Sequence, residues 1–169
     1  RINVKQCRTC DHLTNKGTYS PPAVTSEIPE IELIRSTRNL AFHLYPRRTS
    51  RWRDVVAELV EHMDVFNGRR FVAVAEDDTT APRSLVREQF RGHDIRYIWV
   101  TNDPKLQEVA TFGKMLTRLQ SDDPQEMTFY AHCKGVTRSS AAVAAWTTAM
   151  FTECLQNFDN VLCVLERKA

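Results

Sequence analysis

Four residues with chemical capacity stand together at His132-Cys133-Lys134-Gly135, directly after the strand-forming run Thr128-Phe129-Tyr130-Ala131. An imidazole moves protons or, when protonated, binds an anion, and a lysine ammonium neutralises phosphate as a point charge. Glycine lets backbone approach a ligand closely. The carboxyl ends of strands in an open α/β sheet hold ligands, because backbone groups and loop side chains converge there and the helices leave that edge uncovered. His132, Lys134 and Gly135 are therefore the leading candidates for ligand contact. Cys133 is a candidate activated thiol only if His132 and Lys134 lower its pKa, and no carboxylate is identifiable to orient such a group. The plain reading of the same residues is a surface turn whose histidine satisfies backbone.

A second cluster, Glu76-Asp77-Asp78, follows the apolar run Phe71-Val72-Ala73-Val74-Ala75. Carboxylates at a strand end suit a divalent cation or the hydroxyls of a ribose, and the competing reading is a solvated acidic turn. Near the start, Cys7-Arg8-Thr9-Cys10 forms half of a tetrahedral zinc site. No second close pair follows and His12 stands too near, so zinc held by Cys7 and Cys10 would need ligands preceding Arg1. The alternative is two ordinary thiols in a loose leader. His43, inside an apolar run, reads as a satisfied core group, and Cys154 and Cys163 read as helix-face packing residues.

These residues need a scaffold, and the pattern from Arg38 onward describes one. Residues 1–37 show no sustained period and read as a loop-rich leader, while residues 38–169 alternate apolar runs with amphipathic segments, as βαβ units do. Strands are expected over 39–45, 71–75 and 95–100, with the fourth leading into His132. Helices are expected over 51–66, capped by Ser50, over 82–90, and over 105–119. The last of these should turn Leu106, Val109, Ala110, Phe112, Leu116 and Leu119 inward. A long helix capped by Ser139 or Ser140 should follow, with Val143, Thr147, Met150, Phe151, Cys154, Leu155 and Phe158 on one side and a break at Asp159-Asn160. If the strands take the order 3-2-1-4, the first and fourth are neighbours about 4.8 Å apart, and Tyr45 and Pro46 share a crevice with His132 and Lys134.

Composition sets limits. The chain has 169 residues, 42% of them apolar and 26% charged, which suits one domain with a core. A net charge of +2, from 23 basic and 21 acidic residues, gives no footprint for nucleic acid. No apolar run reaches the roughly 20 residues of a membrane span, and five cysteines in a chain of this size read as reduced thiols. A cytoplasmic location is the expectation. The opening arginine and the helical reading of Leu165-Glu166-Arg167-Lys168-Ala169 suggest a piece of something longer.

Four separated motifs then occur in order: Asn39-Leu40-Ala41-Phe42-His43-Leu44-Tyr45-Pro46, Phe66-Asn67-Gly68-Arg69-Arg70, Asn102-Asp103-Pro104 with Glu108-Val109-Ala110-Thr111-Phe112, and Phe129-Tyr130-Ala131-His132-Cys133-Lys134-Gly135-Val136. Together they resemble a group of bacterial glycosyltransferase-like proteins over residues 38–158, and a cysteine-bearing leader is part of the likeness. The resemblance implies the nucleotide-binding half of a GT-A sugar transferase. That is a Rossmann-like, mainly parallel four-stranded sheet of order 3-2-1-4 with helices on both faces. It also implies a nucleotide-sugar donor, an acceptor of unknown kind, and contact between the nucleotide and the acidic strand end at Asp77 or Asp78. In that pattern a later acidic motif holds a divalent metal on the diphosphate. Here His132-Cys133-Lys134 stands in its place, so a metal is not carried over and the lysine is left to offset phosphate charge. The catalytic base and acceptor pocket of such enzymes come from the carboxyl half, so this piece alone is expected to be inactive. A non-catalytic binding domain derived from such an enzyme, and a zinc-tethered interaction module, are the alternative readings.

Overall fold

Four parallel strands make one sheet in the order β3-β2-β1-β4 in the computed structural model, which describes residues 37–133, 141–158 and 161. The strands are β1 (Thr37–Leu44), β2 (Arg70–Glu76), β3 (Arg96–Thr101) and β4 (Glu126–His132), and the helices are α1 (Trp52–Glu61), α2 (Arg83–Gln89), α3 (Val109–Leu119) and α4 (Ala141–Phe151). This is a Rossmann-like α/β fold. Cys7, Cys10, Lys134, Gly135, Ser139, Ser140, Asp159, Asn160 and Cys163 lie outside the described residues.

Burial follows strand position. β1 and β2 are flanked on both sides, and residues 39–44 and 71–75 are buried throughout, as an uninterrupted apolar run requires. β3 and β4 border the described sheet and are only partly buried. Alternate residues of each strand point to opposite faces. Leu40, Phe42, Leu44, Val72 and Val74 pack with Trp52, Val56 and Leu59 of α1, Val86 of α2 and Phe151 of α4. Ala41, Phe71, Ala73 and Ile98 pack with Met115 and Leu119 of α3. Right-handed crossovers explain the division. The chain steps from β1 to β2 to β3 in one direction and then returns past β1 to reach β4, which puts α3 on the other face.

Several local expectations change. Ser50 does not cap α1: its hydroxyl bonds the Arg47 carbonyl at 3.0 Å, and Arg51 occupies the cap position without a side-chain bond to the helix's free N–H groups. The helix expected over 51–66 ends at Glu61 and gives way to a tighter turn, Met63–Val65. The helix expected over 105–119 begins at Val109, after turns in which Gln107 takes φ 48°. Its inward face is also different. Thr111, Met115 and Leu119 are the buried residues, whereas Leu106, Val109, Phe112 and Leu116 are exposed. Thr111 is drawn in because its hydroxyl partners His43, which apolar periodicity cannot register. α4 passes at Phe151 into a wider turn over Thr152–Gln156, and Met150 is exposed where the pattern placed it inward.

The amino end of the sheet is held by a polar network around Asn39, which is 1% exposed. Its Oδ1 accepts the Arg69 N–H at 2.6 Å and its amide donates to Glu126 Oε1, which the Arg69 guanidinium also reaches. The Ser121 hydroxyl, the Arg69 guanidinium and the Asn39 amide hold the Glu126 carboxyl at about 2. Gly68 passes directly beneath. A Cβ there would press into Asn39 Oδ1, lie 2.8 Å from Thr37 Cγ2 and lie 3.0 Å from the Arg38 carbonyl. Because Asn39 is pinned from two sides, it has nowhere to go. Gly68→Ala should therefore lower the unfolding free energy by about 1–3 kcal/mol. Urea denaturation checks this, and an unshifted midpoint would mean that the turn has room to relax.

Candidate carboxyl-edge site

Because all four strands run parallel, their carboxyl ends open on one edge of the sheet. Tyr45 follows β1, Asp77 follows β2, Asn102 follows β3, and His132 closes β4. The parity of each strand sends Tyr45 and Asp77 toward the α3 face, together with His43 and His132. The register pairs His43 with His132 directly, and the Cys133 N–H bonds the His43 carbonyl at 3.1 Å. His132 therefore lies on the strand next to the Tyr45-Pro46 corner, and the sheet order reverses between the two.

Asp77 ties three strand ends together. Its Oδ2 accepts the Tyr45 hydroxyl at 2.6 Å and the Asn102 amide at 2.8 Å, and its Oδ1 accepts the Thr79 backbone N–H at 2.9 Å and the Thr79 hydroxyl at 2.7 Å. A carboxylate offers about four lone-pair positions, so these donors occupy its acceptor capacity. Thr79 first, then Tyr45 and Asn102, hold its carboxyl well below the usual range. Burial and the bond to Asp77 push the Tyr45 phenol up. Glu76 points to the other face, where Arg83 grips it through Nε at 2.9 Å and through its terminal nitrogen. Of the three adjacent carboxylates, Asp78 alone is exposed. The structure thus separates residues that sequence could only group: Asp77 braces the edge, Glu76 anchors Arg83, and Asp78 faces solvent.

Two further ties define the loops. Ala81 N–H bonds the Pro46 carbonyl at 2.8 Å and Arg48 N–H bonds the Thr79 carbonyl at 3.1 Å, so the loops after β1 and β2 are tied to each other. Arg47 sits in that pair of loops, close enough to Tyr45 to favour its phenolate, and its Nε is buried without a hydrogen-bond partner among the described residues. Sequence reasoning gave Arg47, Thr79 and Asn102 no role. Asn102 had a usable signal, since it follows a strand that ends on the same edge. Arg47 had none beyond its place after Pro46.

His43 is a satisfied core histidine. The Thr111 hydroxyl donates to the Glu108 carbonyl at 2.8 Å, so its oxygen accepts from His43 Nδ1 at 2.6 Å, and the imidazole is assigned as the Nδ1–H tautomer. Beyond it, the Tyr130 and His132 rings stack with centroids 6.2 Å apart. Cys133 is buried, and burial pushes its thiol up, which removes the activated-thiol reading. No group of three or more His, Cys, Asp or Glu residues among those described is placed to hold a metal ion. No described helix is long and apolar enough to cross a membrane. The chain matches no family model, no curated protein and no solved structure.

Burial, followed by repulsion from His132, lowers the His43 pKa from 6.5 to about 4, against an opposing pull from Glu108. The group is neutral in the folded state while the unfolded chain takes up a proton below 6.5. Its contribution is therefore constant above that pH and is lost progressively as pH falls from 6.5 toward 4. The loss amounts to about 3 kcal/mol at 1.36 kcal/mol per unit. Chemical denaturation across pH 4–7 should show this slope in the wild-type protein, and His43→Gln should flatten it. An equally steep limb in the variant would assign the slope to another group.

Proposed function

We propose that this chain is the nucleotide-binding half of a sugar transferase that takes a nucleotide-sugar donor and delivers its glycosyl group to an acceptor. The carrying observation is the 3-2-1-4 sheet, which reverses between β1 and β4, with Tyr45, Arg47, Asp78 and His132 gathered along its carboxyl edge. A reversal point in an open sheet is where such folds hold ligands. The Tyr45 ring, braced through Asp77, offers a face to the base. Asp78, one residue beyond the brace, is the carboxylate left for ribose hydroxyls, since the acceptor positions of Asp77 are filled. Arg47, His132 and, by sequence, Lys134 supply positive charge for the diphosphate. A fixed cation stabilises charge developing on a departing diphosphate as a metal ion would, so the reading requires no metal.

A second reading is supported by the same edge: two of the three carboxylates are engaged in internal contacts, as in a domain that has kept its sheet and lost its chemistry. That reading expects Lys134→Ala to leave cellular activity unchanged.

Titration calorimetry with the uridine, guanosine, adenosine and cytidine diphosphates tests the first reading. One of them should bind in the micromolar range, and Asp78→Ala should weaken it about tenfold, the loss of one or two hydrogen bonds, without moving the melting temperature. Heat from none of the four would remove the transferase reading.

A further inference from the structure

Asp77 holds three strand ends together, and it also fixes which way the hydrogen bonds run around it. An ionised carboxylate can only accept, so each neighbour must turn a proton toward it. The Tyr45 and Thr79 hydroxyls have one proton each, and both spend it there. What remains on those two oxygens is acceptor capacity. Asn102 follows the same rule. Its amide nitrogen faces Asp77 Oδ2 at 2.8 Å, which settles the flip of the amide and turns Oδ1 away from the carboxylate. Among the described residues no donor reaches that oxygen.

The amide is held from below as well. Asn102 N–H bonds the Glu76 carbonyl at 2.9 Å, so backbone and side chain are both fixed to β2 and its end. Little ordering is left for a ligand to impose on Oδ1. Three side-chain oxygens that can only accept therefore stand around Asp77, and Asp78 lies exposed beside them. Phosphate oxygens bring no proton to such a rim. A vicinal diol matches it, because it presents two hydroxyl protons side by side.

We propose that Asn102 Oδ1 is a specificity-determining acceptor, which takes one ribose hydroxyl while Asp78 takes the other, so that the site selects ribonucleotides over deoxyribonucleotides. Resting on the nucleotide reading above, this gives the ligand a direction: its hydroxyl-bearing end lies over the ends of β2 and β3, and its diphosphate runs toward Arg47 and His132, which follow β1 and close β4. A neutral amide suits the position for a reason of charge. A carboxylate in place of Asn102 would accept equally well, but it would set a third negative charge beside Asp77, Asp78 and an anionic ligand.

A residue that served only to brace Asp77 would need its amide N–H and nothing more. The two roles separate in binding: a loosened brace weakens every ligand alike, whereas a lost acceptor weakens only ligands that carry the hydroxyl. Titration calorimetry with the uridine, guanosine, adenosine and cytidine diphosphates and their 2′-deoxy and 3′-deoxy forms reads the difference. For the diphosphate that binds the wild-type protein, each deoxy form should bind about fivefold or more weakly, the loss of one hydrogen bond. Asn102→Ala should weaken the ribo form by a similar factor and bring one of the two deoxy ratios close to one, and Asp78→Ala should do so for the other. Tyr45→Phe loosens the brace and keeps the amide oxygen, so it should leave both ratios as they are. If Asn102→Ala does not fold, the side-chain amide resonances of Asn102 in the wild-type protein decide the matter. They should shift with the ribo form and with one deoxy form, and stay in place with the other. Deoxy forms that bind as tightly as the ribo form, ratios unchanged in Asn102→Ala, or amide resonances indifferent to both hydroxyls overturn the proposal and leave the nucleotide reading standing. Heat from none of the diphosphates removes both.

Discussion

Strand β1 is paired on both edges and covered on both faces, so every polar group it carries must find its partner inside the protein. A buried polar group without one costs on the order of 1–3 kcal/mol. Asn39 and His43 are such groups, Tyr45 follows on the same face just past the strand's end, and each recruits a different part of the chain. Asn39 takes the Arg69 backbone and Glu126 at the amino end. His43 takes Thr111 of α3. Tyr45 takes Asp77 at the carboxyl edge. The strand therefore fixes β2, α3 and β4 by directional bonds as well as by apolar packing, which has no preferred register.

The middle bond has a consequence for shape. Because His43 must reach Thr111, α3 is rotated so that a threonine, Met115 and Leu119 line its buried stripe, and Phe112 and Leu116 move to the flank. Packing alone would centre the apolar arc on the sheet. A hydrogen bond to a buried, neutral imidazole outweighs that preference, since the flank residues keep part of their burial whereas an unpaired Nδ1–H would keep nothing. The exposed flank is thus a consequence of satisfying β1.

Much of this fold was legible in the residues. The unbroken run Phe71–Ala75 and the nearly unbroken run Asn39–Tyr45 mark strands buried on both faces, and their alternation with helical segments is enough for a parallel sheet, whereas the order that sets β1 beside β4 entered only as a condition on the residues and as an implication of the resemblance. What the pattern missed depends on long-range partners. Thr111 is neutral in any hydrophobic period, and only His43, 68 positions earlier, makes it an inward residue. Glu76, Asp77 and Asp78 are chemically near-equivalent as a string. Strand parity and the positions of Arg83, Tyr45, Asn102 and Thr79 separate them, and none of these is adjacent to the triplet except Thr79. Ser50 looked like a cap because its type fits, yet the carbonyl of Arg47 was within closer reach.

The two ends of β1 also divide stability from recognition. The Asn39-Arg69-Glu126 network lies at the amino end of the strands, opposite the carboxyl edge, and it ties together β1, the start of β2, β4 and the end of α3. The Asp77 brace lies at the ligand edge itself. A substitution of Asp77 would release Tyr45 and Asn102 together and would mix loss of structure with loss of binding in any readout. Asp78 contributes no brace, so it reports on the crevice with the least structural consequence. The sheet thus keeps its edge in shape with one carboxylate and presents the next, in the turn that follows, to solvent.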